Sequence, residues 1–134
     1  PRDAAVFVPI APAPKGSTRS FVSPRTGRVV TQGACKRTKE VEAAIRYAVQ
    51  QEWKAGTVSG PVALTVVFSF RQPKSAKKRH HPTVKPDIDK LLRTVLDALT
   101  GVVYYDDAQV ISVAAQKTYS DEIGIWIYIT CSNH

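Results

Sequence analysis

The chain has no methionine and only two cysteines, Cys35 and Cys131, among its 134 residues. So little cysteine argues against a disulfide-stapled secreted domain, and both thiols are read as reduced. A zinc centre would have to draw on Cys35, Cys131, His80, His81 and His134, whose spacing matches no zinc-ligand pattern. No run of about 18 apolar residues occurs, so no membrane-spanning helix is expected. The first residues lack the basic start, apolar stretch and cleavage site of a signal peptide. The chain starts at Pro1, which reads as a processed or trimmed start, and an intracellular, cytoplasmic protein is the expectation. There is no internal repeat and no break between domains. One small domain over residues 1–134, large enough for a single core, is expected.

Acidic residues are also scarce: 11 against 19 Lys and Arg, for a net charge of +8 and a pI near 9.7. The excess is concentrated. Residues 15–39 and 71–93 together hold 15 of the 19 basic residues. Such clustering favours a polyanionic partner, with nucleic acid the commonest. The bland alternative is a solubilising surface, since both clusters also carry the Pro and Ser of loops.

Five of the 11 acids sit within residues 85–107: Asp87, Asp89, Asp97, Asp106 and Asp107. Pro86 disfavours helix at Lys85, and Asp87 then suits an N-cap. At about 100° per residue, Ile88, Leu91, Leu92, Val95, Ala98 and Leu99 form one stripe, with Asp89, Lys90, Arg93 and Asp97 opposite. Gly101 is a fitting stop. The result is an amphipathic helix of about three turns with one charged face. A short return loop would bring Asp106 and Asp107 back beside Asp87 and Asp89. Carboxylates so gathered repel one another, and a hard divalent cation relieves the conflict. Two or three of these side chains would ligate it, with water and phosphate in the remaining positions. Phosphate held there by basic neighbours implies metal-assisted phosphodiester hydrolysis.

These residues carry a resemblance. Lys85-Pro86-Asp87-Ile88-Asp89-Lys90-Leu91-Leu92-Arg93, then Leu96-Asp97-Ala98-Leu99-Thr100-Gly101 and Asp106-Asp107-Ala108-Gln109-Val110, resembles the signature of the RusA family of Holliday-junction resolvases. The resemblance implies a homodimeric endonuclease that depends on Mg2+, with Mn2+ as a substitute, and nicks four-way DNA junctions in recombination and repair. It implies no small-molecule cofactor. The family's catalytic aspartates fall on Asp87, Asp89 and Asp107, which the resemblance implies as direct metal ligands, with Asp106 as a ligand or a support. Its functional lysine falls on Arg93, a departure: arginine can grip a phosphate bidentately but cannot exchange a proton near neutral pH. The family's usual Asn is Lys90, a second departure. Weaker echoes lie at Ala13-Pro14-Lys15-Gly16 and from Gly60 to Lys74.

Elsewhere the pattern is coarser. Val6–Ile10 reads as a short edge strand among prolines. Ser20–Ser23 and Arg28–Thr31 read as a hairpin around Pro24-Arg25-Thr26-Gly27, with Arg25 and Arg28 at the tip, on phosphate or simply solvated. Lys36–Lys54 reads as a helix capped by Thr38, with Val41, Ala44, Ile45, Ala48, Val49 and Trp53 inward. Val62–Phe70 reads as a central strand covered on both faces. Residues 73–84 read as a basic, mobile loop. Gln109–Lys117 and Ile123–Ile129 read as an antiparallel hairpin. The expected fold is α+β: a mixed sheet with two main helices packed on it, in the order β, hairpin, α, β, loop, α, β, β. Lys15, Arg19, Arg25, Lys74, Lys77, Lys78, Arg79, Lys85 and Lys90 are the expected DNA contacts.

Taken singly, Asp87 is a cap, Asp89 a surface partner of Arg93, and Asp106-Asp107 a turn; Asp97 is assigned to structure. Two other functions stay open. One is a non-catalytic basic DNA-binding protein. The other is a nuclease that prefers flaps or plain duplex.

Overall fold

A computed structural model describes residues 2–16, 19–22, 29–32 and 35–131. Its regular elements are β1 (Arg2–Val8), β2 (Arg19–Val22), β3 (Val29–Gln32), α1 (Cys35–Glu52), β4 (Val62–Phe70), α2 (Ile88–Leu99), β5 (Val110–Tyr119) and β6 (Gly124–Cys131). Four strands form one sheet in the order β1-β6-β4-β5, and β2 pairs with β3 antiparallel. The α+β architecture, the mixed sheet and the two helices all match the expectation. The expected hairpin tip with Arg25 and Arg28, residues 23–28, lies outside the described residues.

The expected hairpin of the last two strands does not form. β5 runs parallel to β4, and β6 lies antiparallel on β4's other side. Parallel neighbours need a long crossover, and the basic loop with α2 supplies it. Strands flanking a common neighbour lie about 10 Å apart. The link over residues 120–123 spans that gap across the end of β4, where the Ser120 N–H donates to the Phe70 carbonyl at 2.9 Å.

Burial follows from this order. Val62, Leu64, Val66 and Phe68 of β4, Ile125, Ile127 and Ile129 of β6, and Val6 and Val8 of β1 pack in one core with Val41, Ile45 and Val49 of α1 and Leu91, Val95, Ala98 and Leu99 of α2. Both helices therefore cover the same face. β4 is central but not covered on both sides: Thr65 is exposed and Val67 half-buried. On the open face Phe7 meets Trp126 at a tilt of 43° with ring centroids 4.7 Å apart, and Trp126 stacks on Tyr128 at 6.2 Å. At Gly124 a β-carbon would lie 2.6 Å from the Val8 carbonyl and run into the Phe7 ring.

The first helix starts at Cys35, so Thr38 is inside it rather than capping it. Its hydroxyl donates instead to the Pro14 carbonyl at 2.7 Å. Trp53, just past the helix, is buried as expected and donates its indole N–H to Gly56. Residues 11–16 form a strap across the seam between the two helices. Arg37 donates to the Ala11 carbonyl, Thr94 to the Ala13 carbonyl, and the Lys15 N–H to the Lys90 carbonyl. No helix among the described residues is long and apolar enough to cross a membrane.

Candidate functional site

The start of α2 is fixed by a lysine from the sheet. Lys117 of β5 stands on the helix-facing side, opposite Phe68. Its ammonium donates to the carbonyls of Val84 and Pro86 at 2.7 and 2.8 Å. That holds the approach to the helix, where the Lys85–Pro86 peptide is cis. Asp87 occupies the N-cap position, but its carboxylate makes no capping bond. It is left facing outward, 3.9 Å from the Lys90 ammonium. Asp89 is in the first turn and exposed. Together they open on a groove of about 910 Å³, walled by residues 81–85 of the basic loop on one side and by Ala115, Gln116 and Lys117 on the other.

Asp106 and Asp107 are elsewhere. After Leu99 the chain turns tightly: Gly101 has φ +88°, and its N–H donates to the Tyr104 carbonyl at 2.7 Å. The Tyr104 hydroxyl donates to the Leu96 carbonyl at 2.7 Å. Burial, reinforced by the negative charge of Asp107, raises that hydroxyl's pKa well above its ordinary value. Asp106 caps a single 3₁₀ turn, Asp107–Gln109, by accepting from the Ala108 N–H at 2.9 Å. Gln109 completes the cap and donates to the carbonyls of Val58 and Gly60.

The expected return loop therefore does not gather the four aspartates. A 12-residue helix is about 18 Å long, and the two pairs follow its opposite ends. Because β5 runs parallel to β4, the chain enters β5 at the end remote from Asp87. It is the far part of β5, not its start, that lies beside Asp87 and Asp89. Among the described residues no three His, Cys, Asp or Glu side chains come together as a metal site. One copy of the chain thus supplies two open carboxylates, and Asp107 does not join them.

The basic residues divide. Lys74, Lys77, Lys78, Lys85 and Lys90 are exposed. Arg79 is half-buried, with its guanidinium over the Tyr119 ring and its Nε donating to the Tyr119 hydroxyl at 2.8 Å. Residues 73–84, expected as a basic, mobile loop, include one 3₁₀ turn at Lys74–Ala76 around the Gln72 amide, which donates to the Ala76 and Arg79 carbonyls. Lys15, expected on DNA, is held by two carboxylates: Glu42 at 2.6 Å and Asp97 at 3.0 Å. Asp97 also meets Arg93 at 3.7 Å, as expected of a structural residue. The Arg19 side chain and Arg25 fall outside what is described. Sequence reading missed the roles of Lys117 and Gln109. A lysine on the inward side of a strand was the available signal for the first.

The family model for endodeoxyribonuclease RusA matches residues 9–130. An uncharacterized protein, YqaN of Bacillus subtilis (strain 168), is 30% identical over 129 residues, which cover 88% of this chain and 89% of that protein. A crossover junction endodeoxyribonuclease, RusA of Lactococcus phage r1t, is 31% identical over 71 residues, covering 52% of this chain and 54% of the phage protein. With nearly the whole described fold inside the match, the chain belongs to the RusA family of endodeoxyribonucleases.

Proposed function

We propose that the chain acts as a homodimer that nicks four-way DNA junctions symmetrically, with a divalent cation, Mg2+ in the first instance, at each of two composite sites. The observation that carries this reading is the pair of exposed carboxylates, Asp87 and Asp89, opening on a wide groove edged by the basic loop. The distance to Asp107 supports the composite form. Asp87 and Asp89 of one protomer, with Asp107 of the partner subunit, would hold the ion. When bound, it lowers the pKa of an attacking water and offsets phosphate charge. A two-fold dimer also matches the two-fold symmetry of a four-way junction. The open sheet face carrying Phe7, Trp126 and Tyr128 offers the apolar area for such an interface; Val6 and Val8 point into the core instead.

The protein's own groups bind and orient. Lys74, Lys77, Lys78 and Lys85 line the DNA path as phosphate contacts, with Lys90 next to the carboxylates. Arg93, one turn after Asp89 and 65% exposed in its side chain, grips the scissile phosphate. It holds charge there and moves no proton.

Subunit mixing tests this. Asp89→Asn and Asp107→Asn homodimers are each expected to lose junction cleavage. A mixed dimer of the two contains one site with all native carboxylates if the site is composite, and recovers nicking of one strand. Sites complete within one chain would leave the mixture dead. Wild-type rates in both homodimers would remove Asp89 and Asp107 from the site, whereas no cleavage by the wild-type chain, with binding that is steeply salt-dependent but indifferent to Mg2+, would favour the non-catalytic DNA-binding alternative. Running four-way, flap and linear substrates side by side separates junction preference from general nuclease activity.

A further inference from the structure

We propose that Lys15 is a positioning residue for the nuclease reaction: by taking the closer contact to Asp97, it weakens that carboxylate's hold on Arg93 and leaves the Arg93 guanidinium available to a DNA phosphate. The inference rests on the reading of Arg93 as the phosphate contact.

The geometry is a chain of charges along one edge of α2. The strap lays Lys15 between the helices, with its backbone N–H fixed to the Lys90 carbonyl at 3.0 Å. Its ammonium reaches Glu42 of α1 at 2.6 Å and the Asp97 Oδ2 of α2 at 3.0 Å. The other Asp97 oxygen, Oδ1, is 3.7 Å from the Arg93 Nε. Arg46 lies 3.9 Å from the remaining oxygen of Glu42. Each carboxylate therefore has two cations, and Lys15 is the one they share. The closer contact decides where Asp97 spends its charge, and that contact is Lys15. The hydrogen bond to Glu42 raises the Lys15 pKa above its ordinary value, so the ammonium stays charged through the neutral range.

Removing Lys15 affects the two acids differently. Glu42 keeps Arg46. Asp97 keeps only Arg93, at i,i+4 on the same helix face, and pulls it away from the groove. The cost is a competition between DNA phosphate and Asp97 for one guanidinium.

The test is junction cleavage by the full chain with Mg2+, measured as kcat/KM alongside thermal melting. Lys15→Met is expected to lose about two- to fivefold, the range that exposed ion pairs span. Adding Asp97→Asn to it removes the competing anion and is expected to restore the wild-type value. Adding Glu42→Gln relieves as much negative charge at the helix seam but leaves Asp97 on Arg93, so it is expected not to restore activity. A brace with no bearing on Arg93 would be rescued equally by both second changes, and a Lys15 that touches DNA itself would be rescued by neither; either result overturns the proposal. Arg93→Ala in the same assay separates the two levels. A wild-type rate there removes the underlying reading of Arg93, whereas an impaired Arg93→Ala beside an unimpaired Lys15→Met removes only the role given to Lys15. Should Lys15→Met fail to fold, Lys15→Gln, which retains a donor for Glu42, takes its place with the same two rescues.

Discussion

Gln109 spends both ends of one amide. Its nitrogen donates to Val58 and Gly60 at 2.8 and 3.0 Å, and its oxygen accepts from the N–H groups of Tyr105 and Asp106 at 2.9 and 3.1 Å. A glutamate of the same shape can accept but not donate near neutral pH. Gln109→Glu is expected to cost about 1–3 kcal/mol in urea denaturation, because two carbonyls lose their donor and face a negative charge. Cleavage should fall further than stability alone explains, since Asp107 is part of the same turn. The residue itself stood in the motif, but its partners lie 49 and 51 positions away in sequence, beyond any local pattern. The partners of Lys15 were hidden for the same reason. It sits in a basic cluster of the sequence, yet the carboxylates that claim it come from two separate helices. Asp87, Asp89 and Arg93 were legible as exposed residues because helix geometry alone puts them there.

Among the elements, α2 was the most readable. Its apolar stripe is set by local periodicity, and Leu91, Val95, Ala98 and Leu99 are fully buried as that stripe requires. Ile88, at the first turn, is instead 39% exposed, and Thr94 is buried because its hydroxyl serves the strap. What periodicity could not supply is the helix's attachment. Lys117 fastens its N-terminal approach, and Arg46 of α1 donates to the carbonyls of Ala98 and Asp97 at its other end, where cations suit the dipole. Lys117→Met keeps the stem and removes two donors at the entrance to Asp87 and Asp89. The expected outcome is a clear drop in kcat on junctions with Mg2+, while binding of the same junction in Ca2+ stays near wild type. An equal loss in both would mean that Lys117 contacts DNA rather than holding the helix.

For the molecule as a whole, strand identities were readable and strand neighbours were not. A run of β-branched residues announces a strand wherever it pairs, and a four-residue link is short enough to suggest a hairpin. Only the sheet order shows that this link steps over β4. The assembled fold also carries a predictable response to base. Lys15 has a raised pKa, so its contribution is complete below its ordinary value and fades as pH climbs through the folded one. Tyr104 is held neutral by burial, so above about pH 10 the unfolded chain ionises and gains on the native state. Both act in one direction. Urea midpoints are expected to fall as pH is raised above about 10, and less steeply in Tyr104→Phe.

The position of β6 between β1 and β4 bears on how the polypeptide is made. On the ribosome this strand emerges after the other strands of its sheet, yet it is the piece that joins β1 to β4. Until it arrives, β1 has no strand to pair with, and β4 presents an unsatisfied edge. Nascent chains halted just short of residue 124 should therefore be the form most prone to clump and most avidly held by chaperones.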